Sequence, residues 1–225
     1  MDKDYKKKKK VIVLGKGILA IKVADWLRKS KEYELVFIVP VIPEPTWTES
    51  FLGWGKNCKV PMVESGHYQD LPQVKEPSWK IDLAISVFYD KIIKDWFIPK
   101  CSKIINIHNS PLPRYRGVAP INWALKNGEK EHGITIHEII PQTDAGPIMS
   151  QLKYSIYPEF DEVKDVYQRA LEYAFVLFKE TMPLLEKITP SPQEDSLATY
   201  YSEEDSAKLG ERKDFTKKLS QRKLD

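Results

Sequence analysis

Asn106-Ile107-His108-Asn109-Ser110-Pro111-Leu112-Pro113-Arg114-Tyr115-Arg116-Gly117 is the stretch from which the rest of the chain is read. Residues 104–107 are short-run, β-branched and bounded by polar residues, the pattern of a buried strand. Positions two apart on an extended backbone point the same way, so Asn106 and His108 share a face. A Pro-rich run follows at once, so His108 stands where strand becomes loop. In open α/β sheets, ligands collect at the carboxyl ends of strands.

A strand-end imidazole beside a side-chain amide, with a carboxylate available later in the chain, suits acyl-type transfer. An amine attacking a carbonyl carbon must lose a proton, and the carbonyl oxygen becomes negative. Imidazole is the side chain whose unperturbed pKa lies nearest neutrality. Asn offers an N–H to the oxyanion, and a carboxylate would orient the imidazole and favour its charged form. No covalent enzyme intermediate is required, because the amine is itself the nucleophile. The other histidines, His67, His132 and His137, stand apart from Cys and from each other and read as surface or structural, since zinc wants clustered ligands.

Working outward toward the N-terminus, residues 82–87 read as a strand, and residues 91–97 as a short helix. Strand-end logic places Ser86, Val87, Phe88 and Tyr89 beside the same crevice. Residues 11–14 read as the first strand, Gly15-Lys16-Gly17-Ile18-Leu19-Ala20 as a turn, and residues 19–30 as a helix. A dinucleotide site would need an acidic residue at the end of the second strand. That strand, residues 35–39, ends in Pro40, so NAD is set aside and the glycines are assigned to a tight turn. The 39–54 stretch, with Pro40, Pro43, Pro45, Trp47 and Trp54, reads as an ordered loop with a short helix over 48–53. Trp47 is assigned to packing. Lys6 to Lys10 is a solvated lead-in.

Toward the C-terminus, residues 120–127 read as a helix with Pro at its start, and 134–139 as a strand. A loop over 141–146 and a strand over 152–157 follow. A long helix capped by Asp161 comes next. Val163, Val166, Tyr167, Ala170, Leu171, Ala174, Phe175 and Phe178 recur at helical spacing and face the sheet. Residues 188–196 mark a boundary. A strand over 199–202 and a charged, partly mobile remainder lie beyond it. The division is thus a basic lead-in (1–10), a domain (11–190) and an extension (191–225).

At 225 residues, 42% hydrophobic and net charge +3, the chain bounds one globular domain with an extension. The charge is too weak to argue for nucleic acid. No apolar run spans a bilayer, and no signal peptide is expected. Cys58 and Cys101 make neither a disulfide framework nor a metal spacing, so a reducing cytoplasm is the expected compartment and no metal is expected.

The run Asn-x-His-x-Ser-x-Leu-Pro, then Tyr-Arg-Gly-x-x-Pro, then Gly133-Ile134-Thr135 and Asp144-Ala145-Gly146-Pro147-Ile148, resembles the formyltetrahydrofolate-dependent formyltransferase family over residues 11–149. The resemblance implies a Rossmann-like α/β fold. Its central sheet would be mostly parallel, with helices on both faces and a short C-terminal extension. It implies Asn106, His108 and Asp144 as the catalytic set, and N10-formyltetrahydrofolate as co-substrate. The folate would lie against Ser86, Val87, Phe88, Tyr89, Ile139, Ile140 and Asp144.

Within that family, the acceptor is chosen by what the chain lacks. Methionyl-tRNA formylation uses a C-terminal β-barrel that residues 191–225 are too few to form. Purine-pathway members carry hydroxyl-bearing residues in the first loop. Formyltetrahydrofolate hydrolases carry an N-terminal regulatory domain. Arg114-Tyr115-Arg116-Gly117, Pro120-Ile121-Asn122-Trp123 and residues 154–173 resemble the nucleotide-sugar N-formyltransferases of surface-polysaccharide (O-antigen) synthesis. The implied acceptor is a dTDP-linked 4-amino-4,6-dideoxyhexose, with the 3-amino isomer as rival. Lys16, Gly17, Arg114, Tyr115, Arg116, Tyr200 and Tyr201 are the candidate acceptor contacts. Arg114 and Arg116 are placed on the diphosphate because guanidinium suits it by charge and bidentate bonding. Of the adjacent pair, Tyr200 or Tyr201 is expected to pack on the domain or on a second copy in a homodimer. A non-catalytic folate- or nucleotide-binding module is the alternative, opposed by the presence of Asn106, His108 and Asp144 together.

Overall fold

Six strands form the central sheet in the order β2-β1-β3-β4-β6-β7 in the computed structural model, which describes residues 7–210. The strands are β1 (Lys9–Gly15), β2 (Tyr33–Pro40), β3 (Ile81–Val87), β4 (Cys101–His108), β6 (Glu131–Glu138) and β7 (Ile148–Ser155). β1, β2, β3 and β4 pair in parallel, whereas β6 and β7 join antiparallel. Two short strands, β5 (Arg116–Gly117) and β8 (Tyr200–Tyr201), pair in parallel beside this sheet.

Alternation along each strand sorts the side chains to two faces. Val11, Val13, Leu83, Ile85, Ile105 and Ile107 meet one core cluster. That face is covered by α1 (Gly17–Lys29), α3 (Pro120–Lys126) and α4 (Val163–Thr181), with α2 (Phe51–Cys58) at its margin. Ile12, Leu14, Ala84 and Ile104 meet the other cluster, whose cover is Tyr68, Leu71, Val74, Ile93 and Phe97 from loops and one-turn 3₁₀ helices. The helices on the two faces therefore differ in kind: α-helices on one, 3₁₀ turns on the other. Asn106 and His108, in phase with Ile104, project from the second face.

Several boundaries differ from the sequence reading, each for a local reason. The helix over 91–97 is replaced by turns. Tyr68 Oη takes the Lys94 N–H at 2.8 Å and donates to the Ile92 carbonyl at 3.3 Å, so these backbone groups bond a side chain instead of a helical partner. The short helix moves from 48–53 to Phe51–Cys58 because Ser50 caps it through the Gly53 N–H at 2.8 Å. α4 is capped by Glu162 in a capping box with Asp165, not by Asp161. Its buried Val166, Ala170, Ala174, Leu177 and Phe178 keep the expected face. β1 begins at Lys9, inside the segment read as lead-in, where the Lys10 N–H meets Asp82 Oδ2 at 2.7 Å. The extension makes a parallel pair with β5. The mobile remainder expected beyond it lies, from residue 211, outside the described residues. Among the described residues, no helix is long and apolar enough to cross a membrane.

Candidate active site

β4 supplies Asn106 and His108, and β6 runs antiparallel beside it with His137 opposite Asn106 and Thr135 opposite His108. Four polar side chains thus line one face at one end of the sheet. The 109–117 loop is fastened over them by Thr135. Its Oγ1 donates to the Ser110 carbonyl at 2.7 Å and accepts from the Leu112 N–H at 3.1 Å and from Gln151 Nε2 at 2.8 Å.

Asp144 is the centre of the cluster. Its Oδ2 takes the Gly117 N–H at 2.9 Å and lies 3.6 Å from His108 Nδ1. Its Oδ1 lies 3.4 Å from Asn106 Nδ2 and 3.6 Å from His137 Nε2. Burial alone would raise its pKa. The charges of His108 and His137, the His137 bond and the Gly117 N–H outweigh that and hold the carboxyl well below the usual range. Asp144 itself has φ +50°, a left-handed conformation that Asp tolerates better than most residues. Tyr115 (φ +61°) and Ala119 (φ +52°) share it in the facing loop. Gly117, at φ +90°, has no alternative: a Cβ there would lie 2.1 Å from the Tyr201 carbonyl oxygen.

Ring partners define which nitrogens act. His108 Nε2 lies 2.9 Å from the Tyr115 carbonyl, which can only accept, so Nε2 carries a hydrogen and Nδ1 is the nitrogen open to a further proton. Orientation of His108 therefore comes from the Tyr115 carbonyl, whereas Asp144 faces the opposite nitrogen as a charge partner. His137 Nδ1 meets the Glu138 carbonyl at 2.8 Å, and its Nε2 lies 3.2 Å from Asn106 Nδ2 and 3.6 Å from Asp144 Oδ1. Asn106 Nδ2 thus faces His137 and Asp144, through contacts near the outer limit for hydrogen bonds.

Residues 65–181 match the model of a family described as formyl transferase. The chain belongs to the formyl transferase family. All of Asn106, His108 and Asp144 lie within the matched segment. Solved structures of the same fold include WlaRD, a sugar 3N-formyl transferase crystallised with dTDP and 5-N-formyl-THF. It is 24% identical, with 88% of this chain and 71% of that one covered and a TM-score of 0.74. An N-formyltransferase from Helicobacter canadensis, in complex with folinic acid and dTDP-3-aminofucose, is 24% identical. Coverage is 88% and 72%, with a TM-score of 0.74. A 4-N formyltransferase from Francisella tularensis is 19% identical, with 88% and 77% covered and a TM-score of 0.69.

In this formyl transferase, the folate candidates border the cluster from two sides. Ser86 and Val87 are register neighbours of Asn106 and Ile107. Phe88 follows at φ +53°, its ring 6.0 Å from that of Tyr167. Tyr89 and Ile139 both pack on the second core cluster, and Ile139 is tied to β4 through the Ile104 carbonyl at 2.9 Å. Ile140 is half-buried in the loop that leads to Asp144.

The acceptor candidates scatter. Lys16 and Gly17 close the end of β1. Gly17 has φ +69°, and a Cβ there would lie 2.6 Å from Thr48 Oγ1, so the glycine serves a tight turn. Arg114 pairs with Glu129. Arg116, 5% exposed, is held by Gln193 Oε1 at 2.8 Å and 3.1 Å and by Asp195 Oδ1 at 2.8 Å. Both guanidinium groups thus have partners within the chain, Arg114 at the surface and Arg116 beneath it. Tyr115 is buried, with its ring between those of His132 and Tyr201. Tyr201 stacks on Trp123 at 4.1 Å between centroids. Tyr200 is exposed and, with Arg116, Gln142 and Thr143, lines a cavity of about 270 Å³.

Sequence reading missed His137, Thr135, Gln151 and Gln193. The signal for His137 and Thr135 was present, since both alternate with Gly133 in the Gly-x-Thr-x-His run; register with β4 gives them meaning. Among the described residues, no group of His, Cys, Asp and Glu could hold a metal.

Proposed function

We propose that this protein transfers the formyl group of N10-formyltetrahydrofolate to the amino group of a dTDP-linked amino-dideoxy sugar. The observation that carries the reading is the Asp144 carboxylate, met by Gly117 N–H at 2.9 Å, by Asn106 Nδ2 at 3.4 Å and by His108 Nδ1 at 3.6 Å at the end of β4. Attack of the amine forms a C–N bond at the formyl carbon and puts negative charge on its oxygen. His108 Nδ1 takes the proton that the amine sheds, and Asp144 stabilises the imidazolium. The same proton then serves N10 as the old C–N bond breaks. One Asn106 N–H turns from its long contact to the formyl oxygen.

The sequence resemblance favours a 4-amino-4,6-dideoxyhexose and a role in surface polysaccharide (O-antigen) synthesis. WlaRD, a sugar 3N-formyl transferase, and the Helicobacter canadensis enzyme, in complex with dTDP-3-aminofucose, support the 3-amino isomer as second reading. Incubation with N10-formyltetrahydrofolate and dTDP-linked 3- and 4-amino sugars decides between them. Tetrahydrofolate should appear with one acceptor class, and the product should carry one formyl group by mass spectrometry. No turnover with any amino-sugar nucleotide would remove the reading. Free Cys58 and Cys101 fit a reducing cytoplasm. The edge position of β7 supports a two-fold homodimer.

A further inference from the structure

Gln193 lies beyond the segment that matches the family and carries no chemistry of its own, yet it joins both halves of the site. Its Nε2 donates to the Asp144 carbonyl at 2.8 Å and to the Gly146 carbonyl at 2.7 Å. Its Oε1 accepts from Arg116 Nε and Nη2 at 3.1 Å and 2.8 Å. Arg116 is in the loop whose neighbouring groups set the other partners: the Tyr115 carbonyl holds His108, and the Gly117 N–H holds Asp144. One amide therefore spans from the carboxylate's loop to the imidazole's loop. All four polar valences of that side chain are directed.

We propose that Gln193 is a positioning residue for formyl transfer, fixing the Asp144 backbone so that its carboxylate meets His108 and Gly117 together. The inference rests on the proposed reaction. Asp144 is a non-glycine residue at φ +50°. Such a conformation persists only when surrounding bonds over-determine it. The Gly117 N–H fixes the carboxylate end, and the backbone end is fixed by Gln193. Displacement of a catalytic group by about 1 Å costs on the order of a hundredfold in rate.

Gln193→Glu is the discriminating variant. It is isosteric and keeps an acceptor for Arg116, so a Gln193 that merely satisfies Arg116 would be replaced without loss. The carboxylate cannot donate to the Asp144 and Gly146 carbonyls, so a positioning role is lost. We expect kcat to fall about ten- to a hundredfold, with KM for the folate within about twofold, as uniform binding is untouched. The amide proton of Gly117 and the ring nitrogens of His108 should shift in the NMR spectrum, reporting a moved carboxylate. Asp195→Asn, which perturbs only the Arg116 side, should do neither. A Gln193→Glu protein with wild-type kcat and unshifted Gly117 and His108 resonances overturns the proposal. If the wild-type protein formylates no amino-sugar nucleotide, the reaction fails while the Gly117 and His108 resonances still decide whether Gln193 places Asp144.

Discussion

At the scale of the residue, the division of labour on His108 is set by which nitrogen each neighbour takes. The Tyr115 carbonyl occupies Nε2 at 2.9 Å, so proton uptake belongs to Nδ1, and Asp144 is there to receive the charge. His108→Asn should therefore lower kcat by about 10²–10⁴-fold, the span of general acid–base catalysis, while ligand binding measured by calorimetry is retained. Near-native turnover would remove His108 from the reaction. Asn106→Ala should lower kcat by about 10²–10³-fold with little change in KM, because its donor acts in the transition state; a pure KM effect would make it a binding residue. His132 illustrates the opposite use of an imidazole. Burial, then the nearby His108, pushes its pKa down from 6.5 to about 4 despite the Asn109 carbonyl at 2.9 Å. The unfolded chain therefore binds a proton that the folded one refuses between those values. Stability from this group is full above about pH 6.5 and is lost as pH falls toward 4, by up to about 3 kcal/mol. Urea titrations at pH 7 and pH 5 should show that loss, and His132→Gln should flatten the difference; an unchanged pH dependence would clear His132 of the effect.

At the scale of the element, β4 and the loop after it were legible because their signals are local. β-branched residues make the strand, prolines end it, and the reacting side chains sit two apart on one face. The 91–97 helix misled because Tyr68, more than twenty positions earlier, takes the backbone groups that a helix would use. Thr135 and His137 were legible as strand residues and not as site residues, since their meaning comes from antiparallel register with His108 and Asn106. Thr135 also explains how a Pro-rich loop stays in place: one hydroxyl serves the Ser110 carbonyl, the Leu112 N–H and Gln151. Thr135→Val keeps the shape and removes that hydroxyl, leaving buried polar groups without partners. Denaturant unfolding should show a loss of about 1–3 kcal/mol, accompanied by lower kcat as the loop that carries the Tyr115 carbonyl loosens. A variant equal to wild type in both would show that the loop is held by other means.

At the scale of the whole molecule, the mostly parallel sheet followed from the family resemblance carried by the 106–117 and 133–148 motifs. The return of the extension did not, because a two-residue strand and a lone glutamine carry no periodic pattern. Tyr200 and Tyr201 show what the sequence could and could not say: adjacency predicted that one ring is buried, and β8 pairing with β5 decides which. Tyr201 stacks between Tyr115 and Trp123, with its hydroxyl taking Asn127 Nδ2 at 3.2 Å, while Tyr200 turns outward at 57% exposure. Tyr201 is thus held by rings of its own chain. Tyr201→Ala should cost about 2 kcal/mol in unfolding free energy, the scale of a half-buried aromatic with two ring neighbours, and leave the solution mass unchanged. Tyr200→Ala should stay within about 0.5 kcal/mol. Its effect, if the cavity beside Arg116 receives the acceptor, should be a raised KM for the nucleotide sugar. A change of mass on Tyr201→Ala would mean that the extension reaches a partner after all, and a Tyr200→Ala protein with unaltered KM would move the acceptor away from that cavity.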